Sequence, residues 1–274
     1  ASGFTDYADV IYNALEREPK IPIYGNECTA WMAGGDMTRD GYGMLSQTWD
    51  MHSTATPYVI LLHGQPDGEP EFLALSLTGC VAMIGMNSAG ISVGINNLAG
   101  ADGQIGVTWP FVCRKILMQT NLDDALKCIT DARLAGGHNY LIMDATGKGY
   151  NVEAMASKVT VTPLNGSPLV HANICMYDDT RTVERPLTPE YIEDSELRGN
   201  RAVAHLSERR ELTELDFMHL TRNREDGAYS VCSMSEPPFY SETCAAVVMR
   251  PATRDFWAVW GLPNQNEFER FSLK

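Results

Sequence analysis

Short apolar runs separated by Gly, Pro, Asp and Asn occupy most of the first hundred residues. Runs such as 58–63 and 80–86 have the length of strands, and the residues between them are typical of turns. Because the strands come in consecutive groups, the pattern predicts largely antiparallel sheets. The predicted strands are 28–33, 44–49, 58–63, 71–77, 80–86, 90–96, 139–144, 149–153, 158–162, 169–173, 243–250 and 255–260.

Apolar residues at helical spacing alternate with these groups of strands. Val10, Ile11, Ala14 and Leu15 predict a first helix over 7–18. Strands, two helices, more strands, two more helices and a closing hairpin follow in order, which indicates an α+β protein with two sheets covered by helices. The other predicted helices are 109–119, 122–134, 189–209 and 213–222, with caps at Asn121, Thr188 and Thr213, and 177–187 is predicted to be a loop.

Composition narrows the class of protein and its partners. The chain has 274 residues without a linker or a repeat, which favours one domain. No apolar run approaches the roughly 20 residues that cross a bilayer, so we expect no membrane partner. The net charge of −14 repels phosphate backbones, which argues against nucleic acid.

The seven cysteines are widely spaced and include no C-x-x-C pair. This argues against a disulfide framework and a structural zinc site, and we expect no metal. A reducing compartment fits best, so a cytoplasmic location is expected. Six of the cysteines lie in apolar runs and resemble small buried hydrophobes. Cys28 differs, because it lies in the polar, Gly-containing segment Gly25-Asn26-Glu27-Cys28-Thr29.

A catalytic thiol needs a base, because at neutral pH it is mostly protonated. None of the six histidines lies in a recognisable protease motif, although a Cys–His pair stays open. Cleavage of the Glu27–Cys28 bond would supply another base. The new α-amine of Cys28 would have an ordinary pKa of about 7.7–8.0, close enough to neutrality to exchange a proton with the thiol.

Eight segments resemble, in order, motifs of the acyl-coenzyme A:6-aminopenicillanic acid acyltransferases, a family of N-terminal nucleophile hydrolases. The resemblance covers nearly the whole chain, and each motif alone is weak. The segments are Cys28-Thr29-Ala30, Gln47-Thr48-Trp49-Asp50, Gly85-x-Asn87-Ser88-Ala89-Gly90, Asn96-x-Leu98, His171-Ala172-Asn173, Asp194-Ser195-x-x-Arg198, Ser230-x-Cys232 and Thr243.

This resemblance implies a four-layer αββα sandwich of two mostly antiparallel sheets. It also implies cleavage between Glu27 and Cys28 into a leader, 1–27, and a catalytic domain, 28–274. The leader would stay bound as the small chain of an α/β heterodimer.

The resemblance also assigns roles to residues of the site. Cys28 resembles the nucleophile, Asp50 the carboxylate that orients the free amine, and Asn173 the side-chain donor to the oxyanion. Thr29 and Ala30 are expected to offer backbone N–H groups there, and Asn96 a further polar contact. Some of these residues also have a structural interpretation. Asp50 could be a carboxylate that caps a turn at a strand end, and Asn173 a buried amide that satisfies the backbone at a strand end. Asn96 and Asn97 fit a structural role and a functional role about equally well.

Other residues of these motifs favour structural roles. Arg198 is expected to pair with Asp194 one helical turn away, while Asn87 and Gly90 serve a tight turn. Of the aromatic residues Trp31, Trp49, Trp109 and Phe111, one or two are expected to line an acyl pocket and the rest to fill the core.

Three features depart from the family pattern, and two of them bear on the substrate. Ile174 follows Asn173 where relatives often have His, and Ser233 follows Cys232 where the penicillin enzyme has Arg. Both put a penicillin substrate in doubt. Only 27 residues precede Cys28, fewer than in the family's leaders, so we expect a truncated chain or a longer native N-terminus.

The function expected from these observations is a self-processing amidohydrolase that cleaves a small N-acyl amide through a thioester. No cofactor is expected, apart from coenzyme A as an acyl donor in the first alternative. That alternative is a coenzyme A-dependent N-acyltransferase, and the second is a non-catalytic binding protein that is never processed.

Overall fold

Two antiparallel sheets face each other at the centre of the molecule. A computed structural model describes residues 4–15, 28–209, 211–237 and 241–274. Its strands are β1 Thr29–Ala33, β2 Met44–His52, β3 Val59–Gly64, β4 Phe72–Leu77, β5 Ile84–Asn87, β6 Ser92–Asn97, β7 His138–Met143, β8 Gly149–Ala154, β9 Val159–Pro163, β10 Leu169–His171, β11 Ser241–Arg250, β12 Asp255–Trp260 and β13 Glu269–Ser272. The six-stranded sheet has the order β10-β1-β2-β11-β12-β13, and the seven-stranded sheet runs from β3 to β9 in chain order.

Helices cover the outer face of each sheet. In the described residues they are α1 Phe4–Leu15, α2 Trp109–Ile116, α3 Leu122–Thr130, α4 Asp178–Arg181, α5 Pro189–Ser207 and α6 Glu214–Thr221. Helix α3 packs on β7 and β8 with α2 beside it, whereas α5 and α6 pack on the six-stranded sheet. The layers are therefore α, β, β, α, and the predicted four-layer sandwich is confirmed.

Strand β1 shows how the sequence builds these layers. Ala30 and Met32 face the core between the two sheets, while Trp31 and Ala33 face the core beneath α5 and α6. Since successive side chains of a strand point to opposite faces, a strand that is buried on both sides favours apolar residues at every position, and the one polar residue of β1, Thr29, has hydrogen-bond partners. All five residues of β1 are accordingly buried.

Several predicted spans differ from the structure. Strand β2 continues to His52 because β11 pairs with it as far as Ser241, so Asp50 lies inside a strand and not at its end. Strand β10 ends at His171, which leaves Asn173 in the following turn. The predicted loop 177–187 contains the short helix α4. Strand β13 is polar and was not predicted.

Helix α1 begins earlier than expected, and the predicted part beyond Leu15 lies outside the described residues. The other helices end a few residues before their predicted limits. The caps Asn121 and Thr188 both accept the expected backbone hydrogen bonds, and Thr213 forms a capping box with Asp216.

The cysteines and the helices can be compared with the expectations about disulfides and membrane spans. All seven cysteines lie within the described ranges, and each is a buried thiol outside any disulfide. Among the helices of those ranges, none combines the length and apolar character needed to cross a bilayer. The cytoplasmic location stays a prediction.

Helix α1 packs closely against Gly103 and Gly136, and we call this contact surface its glycine seat. A Cβ atom on Gly103 would lie 2.3 Å from the carbonyl carbon of Asp9, and one on Gly136 would lie 2.9 Å from Cα of Asp6. Any larger residue at these two positions would push the helix away.

Two buried carboxylates of α1 complete this contact. Asp9 accepts a hydrogen bond from the backbone N–H of Gly137 at 2.8 Å and lies 3.3 Å from the guanidinium of Arg185. Asp6 accepts from the N–H of Trp109 at 3.4 Å. Burial raises the pKa of Asp6 to about 7 and that of Asp9 to about 8, outweighing the hydrogen bonds that lower both. Both acids therefore favour their neutral form when α1 is docked.

We predict that α1 docks more weakly as the pH rises. Both pKa values lie above the ordinary 3.8, so docking takes up protons. The stabilisation is fully present below about pH 4 and is lost as the pH rises through about 7 to 8. The equilibrium constant for docking of α1 should fall by at most about tenfold per pH unit for each acid. Hydrogen exchange of the α1 amides at several pH values, corrected for the intrinsic rate, measures this.

Asp6→Asn imitates the protonated acid and should reduce the pH dependence, while the exposed Asp131→Asn should leave it unchanged. Protection of α1 that is equal at pH 5 and pH 9 in the unmodified protein would contradict the prediction.

Candidate active site

Cys28 lies at the start of β1 and faces the core between the sheets. Its side chain is nearly buried, with 5% of the residue exposed. The thiol lies 3.9 Å from the backbone oxygen of Asp50, a weak contact. The next residue, Thr29, is opposite Thr48 of β2 and donates its N–H to the Thr48 hydroxyl at 3.2 Å. Cys28 is thus held where a central strand begins.

The backbone carbonyl of Cys28 is the point at which three layers meet. It accepts a hydrogen bond from Nδ2 of Asn96 at 2.9 Å, across the interface from β6. It accepts a second one from Nη1 of Arg198 at 3.0 Å, from α5 in the outer layer. Both donors are fully buried, so the position of Cys28 is determined by directional polar contacts as well as by packing.

Arg198 contacts three of the candidate residues at once, namely Cys28, Thr29 and Asn173. Its guanidinium donates to the Thr29 hydroxyl at 2.8 Å and to Oδ1 of Asn173 at 3.1 Å. The carboxylate of Asp194 accepts from Nη2 at 2.6 Å and from Nε at 2.9 Å. The expected ion pair with Asp194 is confirmed, but it is only part of the role, since the same cation joins Cys28 to Asn173.

Asn173 lies just beyond the end of β10, with its amide oriented at both ends. Nδ2 donates to the backbone oxygen of Asn97 at 3.1 Å, and Oδ1 accepts from Arg198. A side-chain amide has two N–H bonds, so a second donor accompanies the one directed at Asn97. This arrangement is compatible with the expected oxyanion contact.

Gln47 joins the two sheets beside Cys28. Its Oε1 accepts from the N–H of Ile95 at 2.7 Å, and its Nε2 donates to the carbonyl of the same residue. Gln47 belongs to β2 and Ile95 to the facing β6. The fully buried amide therefore fixes these strands relative to each other at the level of the site.

The electrostatic surroundings keep the thiol protonated. Burial raises the pKa of Cys28 to about 12, and the negative charge of Asp50 adds to that rise. The positive charge of Arg198 and a hydrogen bond with Gln47 act in the opposite direction but are weaker. The thiol is therefore mostly protonated at neutral pH and, without a base beside it, a poor nucleophile.

A small, largely apolar cavity of about 70 Å³ adjoins Cys28. Helix α1 contributes to its wall, because Thr5 lines it and lies 3.2 Å from Nε2 of His138. Burial lowers the pKa of His138 to about 3, so its ring is neutral. The lining residues are Thr5, Cys28, Trp49, Met51, Leu77, Cys80, Met83, Ile95, Asn97, Trp109 and His138.

Two of the four aromatic residues line the cavity and one fills the core, as expected, but Phe111 does neither, so its predicted role is wrong. Trp49 and Trp109 line the cavity. Trp31 packs in the core beneath α5 and α6, and Phe111 is 54% exposed.

The structure brings four of the expected residues together: Cys28, Asp50, Asn96 and Asn173. The N–H of Thr29 is used by Thr48, and Ala30 lies within β1 between β10 and β2. Glu27 lies outside the described residues. The catalytic roles of these residues stay predictions.

Arg198 is the main site residue that the sequence interpretation undervalued, although a signal was present. The buried positions of α5 include Asp194, Arg198, Ala202 and Leu206, each four residues apart. That spacing puts Arg198 on the face that packs against the protein, where a cation requires specific partners. Gln47 opens the motif Gln47-Thr48-Trp49-Asp50, but for Thr5 and His138 we find no comparable local signal.

The chain was compared with known proteins. The family model for acyl-coenzyme A:6-aminopenicillanic acid acyl-transferase matches residues 37–265. The match spans most of the chain and includes Asp50, Asn96, Asn173 and Arg198, while Cys28 precedes it. The chain belongs to this family. As a member of the acyl-transferase family it is an enzyme of amide hydrolysis or acyl transfer.

Solved structures with this fold are distant in sequence. An N-acylethanolamine-hydrolyzing acid amidase ortholog from Caenorhabditis elegans is 15% identical with a TM-score of 0.57, over 82% of this chain and 93% of that one. A variant of conjugated bile acid hydrolase from Clostridium perfringens is 13% identical with a TM-score of 0.57, over 90% and 97%.

Penicillin V acylase from Agrobacterium tumefaciens is 11% identical with a TM-score of 0.56, over 89% of this chain and 86% of that one. At such identities the likeness establishes the fold of this acyl-transferase family member. A search of curated proteins by sequence finds no match.

We predict that Arg198→Met destabilises the protein by about 3–5 kcal/mol, because Asp194 then stays buried without its cation. Turnover should fall by about 100-fold or more, since Asn173 and the Cys28 carbonyl both lose a donor. Urea unfolding and single-turnover kinetics measure the two effects separately.

The double variant Asp194→Leu/Arg198→Met should recover much of the stability but not the turnover. Arg201→Ala, on the same helix but in a half-exposed pair with Asp226, should cost less than about 1 kcal/mol. Recovered turnover in the double variant would show that Arg198 acts only through stability.

Proposed function

We propose that this chain is a self-processing N-terminal cysteine amidohydrolase that cleaves a small N-acyl amide through a thioester on Cys28. The observation that carries the proposal is the environment of Cys28 itself. Its carbonyl is held by Asn96 and Arg198, its thiol adjoins an apolar cavity, and its pKa is raised to about 12. Such a thiol is placed for one slow intramolecular attack on the preceding peptide bond, but it needs a base before it can turn over substrate at neutral pH.

Self-processing supplies that base. Sγ of Cys28 attacks the carbonyl carbon of Glu27, the peptide C–N bond breaks, and the nitrogen takes the thiol proton. Water then hydrolyses the thioester, which frees the Glu27 carboxylate and regenerates the thiol. The products are a leader, 1–27, and a catalytic chain that begins with the α-amine of Cys28.

The same groups serve the turnover of substrate. The α-amine, with an ordinary pKa of about 7.7–8.0, accepts the thiol proton as sulfur attacks the substrate amide and returns it to the departing amine. The carboxylate of Asp50 orients this amine. The second N–H of Asn173 donates to the oxyanion, a contact that is typically worth about 10²–10³ in rate. Hydrolysis of the thioester completes the cycle, and no cofactor or metal takes part.

The leader remains bound after the cut as the small chain of an α/β heterodimer. The glycine seat and the buried carboxylates of α1 support this proposal, because they form a specific contact and not a loose tail. Thr5 then continues to line the cavity beside Cys28. The leader is thereby part of the substrate pocket.

The cavity favours a small apolar acyl group and water as the acceptor. None of the described residues that line it is Lys or Arg, and the net charge of −14 opposes a polyanion such as coenzyme A. Ser233 is buried where the penicillin enzyme has Arg, so we do not propose a penicillin substrate. Acyl transfer from coenzyme A is the alternative within the same family.

We predict that the purified protein separates into two pieces between Glu27 and Cys28. Cys28→Ala should remain one piece and lack turnover, because the thiol drives both reactions. Cys113→Ala, a change in another fully buried thiol, should be cut normally. Intact mass and the N-terminal residue of the larger piece are the measurements.

A Cys28→Ala chain that is still cut would show that another group does the processing. An intact, folded wild type whose Cys28 resists thiol labelling would instead favour the non-catalytic binding protein. An acyl product that forms only with coenzyme A present would favour the acyltransferase.

We predict that Leu77→Ala shifts the preference towards longer acyl groups, because Leu77 lines the cavity and its truncation adds space. Each methylene accommodated should change relative kcat/KM by roughly tenfold. A homologous series of linear N-acyl amides measures this. Leu61→Ala, in a different cleft of the same sheet, is the control, and an unchanged preference in Leu77→Ala would refute the assignment of this cavity to the acyl group.

A further inference from the structure

A fully buried glutamate–histidine pair adjoins the loop of the candidate oxyanion donor. Glu153 of β8 and His171 of β10 have no exposed side-chain surface, and Oε1 lies 2.7 Å from Nε2. The two strands belong to different sheets. Burying two ionisable groups is costly unless each is well satisfied, so the pair requires an explanation beyond packing.

The carboxylate of Glu153 holds the loop of Asn173 from both sides. On the N-terminal side it contacts His171, the last residue of β10. On the C-terminal side Oε1 accepts from the N–H of Met176 at 2.6 Å, and Oε2 accepts from the hydroxyl of Thr180 in α4. One side chain therefore closes the segment 171–176, in whose middle Asn173 lies.

The hydrogen-bond inventory is consistent with an ionised carboxylate. Nδ1 of His171 faces the backbone oxygen of Ala172 at 2.8 Å, so this nitrogen must carry a hydrogen. Burial acts to raise the pKa of Glu153, but the hydrogen bond and charge of His171, with the bonds from Thr180 and Met176, bring that pKa below its usual value.

Further contacts hold the same segment beyond Asn173. Oε1 of Glu184 accepts from the N–H of Cys175 at 2.7 Å, and Nε of Arg181 donates to the Cys175 carbonyl at 3.0 Å. No strand continues through Asn173 itself, because β10 ends at His171. The direction of its amide therefore depends on how firmly the surrounding loop is held.

We propose that Glu153 is a positioning residue, which fixes the 171–176 loop so that the amide of Asn173 is aimed at the oxyanion. The proposal rests on the function proposed above for Asn173. Glu153 acts through His171 and Met176 and does not touch the substrate. Its loss should therefore lower kcat with little effect on KM.

A double-mutant cycle of Glu153→Gln and Asn173→Ala tests this. We expect Glu153→Gln to lower kcat by roughly 10- to 100-fold, as for other residues that orient a catalytic group. Asn173→Ala should lower kcat by about 10²–10³-fold. Since Glu153 acts through Asn173, the double variant should be no slower than Asn173→Ala alone.

Two further measurements separate positioning from general destabilisation. Hydrogen exchange of the amides in 172–176 should accelerate at least tenfold in Glu153→Gln, with the core strands unchanged. Alkylation of Cys28 by iodoacetamide should keep its wild-type rate. Asp255→Asn is the matched control, because this buried carboxylate pairs with Arg270 and accepts from Thr253 and Ser272 far from Cys28 along the six-stranded sheet.

Each outcome has a defined meaning. A double variant that is slower than the wild type by the product of the two single effects, or unchanged exchange in 172–176, would overturn the proposal. Thr180→Val, which removes one bond to Glu153 and keeps the ion pair, serves if Glu153→Gln does not fold, and should show the same pattern at smaller size. Accelerated exchange with no thioester in any variant, wild type included, would overturn the amidase function and, with it, the role of Glu153 in catalysis.

Discussion

The structure of the site depends on one buried cation, the guanidinium of Arg198. It reaches from α5 through the outer face of the six-stranded sheet to the Cys28 carbonyl, the Thr29 hydroxyl and the amide of Asn173, with Asp194 as its counter-ion. A buried ion pair contributes little to stability compared with apolar residues of the same volume. Its contribution here is to fix the relative positions of these groups, because a planar guanidinium holds several acceptors at defined angles.

Polar contacts across an otherwise apolar interface fix how the two sheets lie on each other. Asn96 reaches Cys28, Gln47 reaches Ile95, and Glu153 reaches His171, each from one sheet to the other. Apolar packing alone tolerates small displacements between layers. Hydrogen bonds weaken steeply with distance and angle, so these contacts turn an approximate sandwich into a site with defined distances.

Local patterns in the sequence predicted much of the fold, because alternation, helical spacing and caps act over a few residues. They failed where distant pairing decides the outcome. Strand β2 extends past Trp49 only because β11 lies beside it, and β13 is a polar edge strand that its partner β12 stabilises. The site shows the same division between what was and was not predicted. Its candidate residues lie in recognisable motifs, namely Cys28, Asp50, Asn96 and Asn173. Arg198 lies in a motif too, and its pair with Asp194 was predicted. Its contacts with Cys28 and Asn173, like those of Glu153 with His171 and Met176, join residues far apart in the chain, which no local pattern reveals.

The wall position of Thr5 has a consequence for how the enzyme is made. Helix α1 and Cys28 are translated as one polypeptide, so the cell supplies them in equal amounts. The covalent connection keeps α1 at a high effective concentration beside its seat. Assembly of the pocket is then a folding event within one molecule, and it does not depend on two dilute fragments meeting.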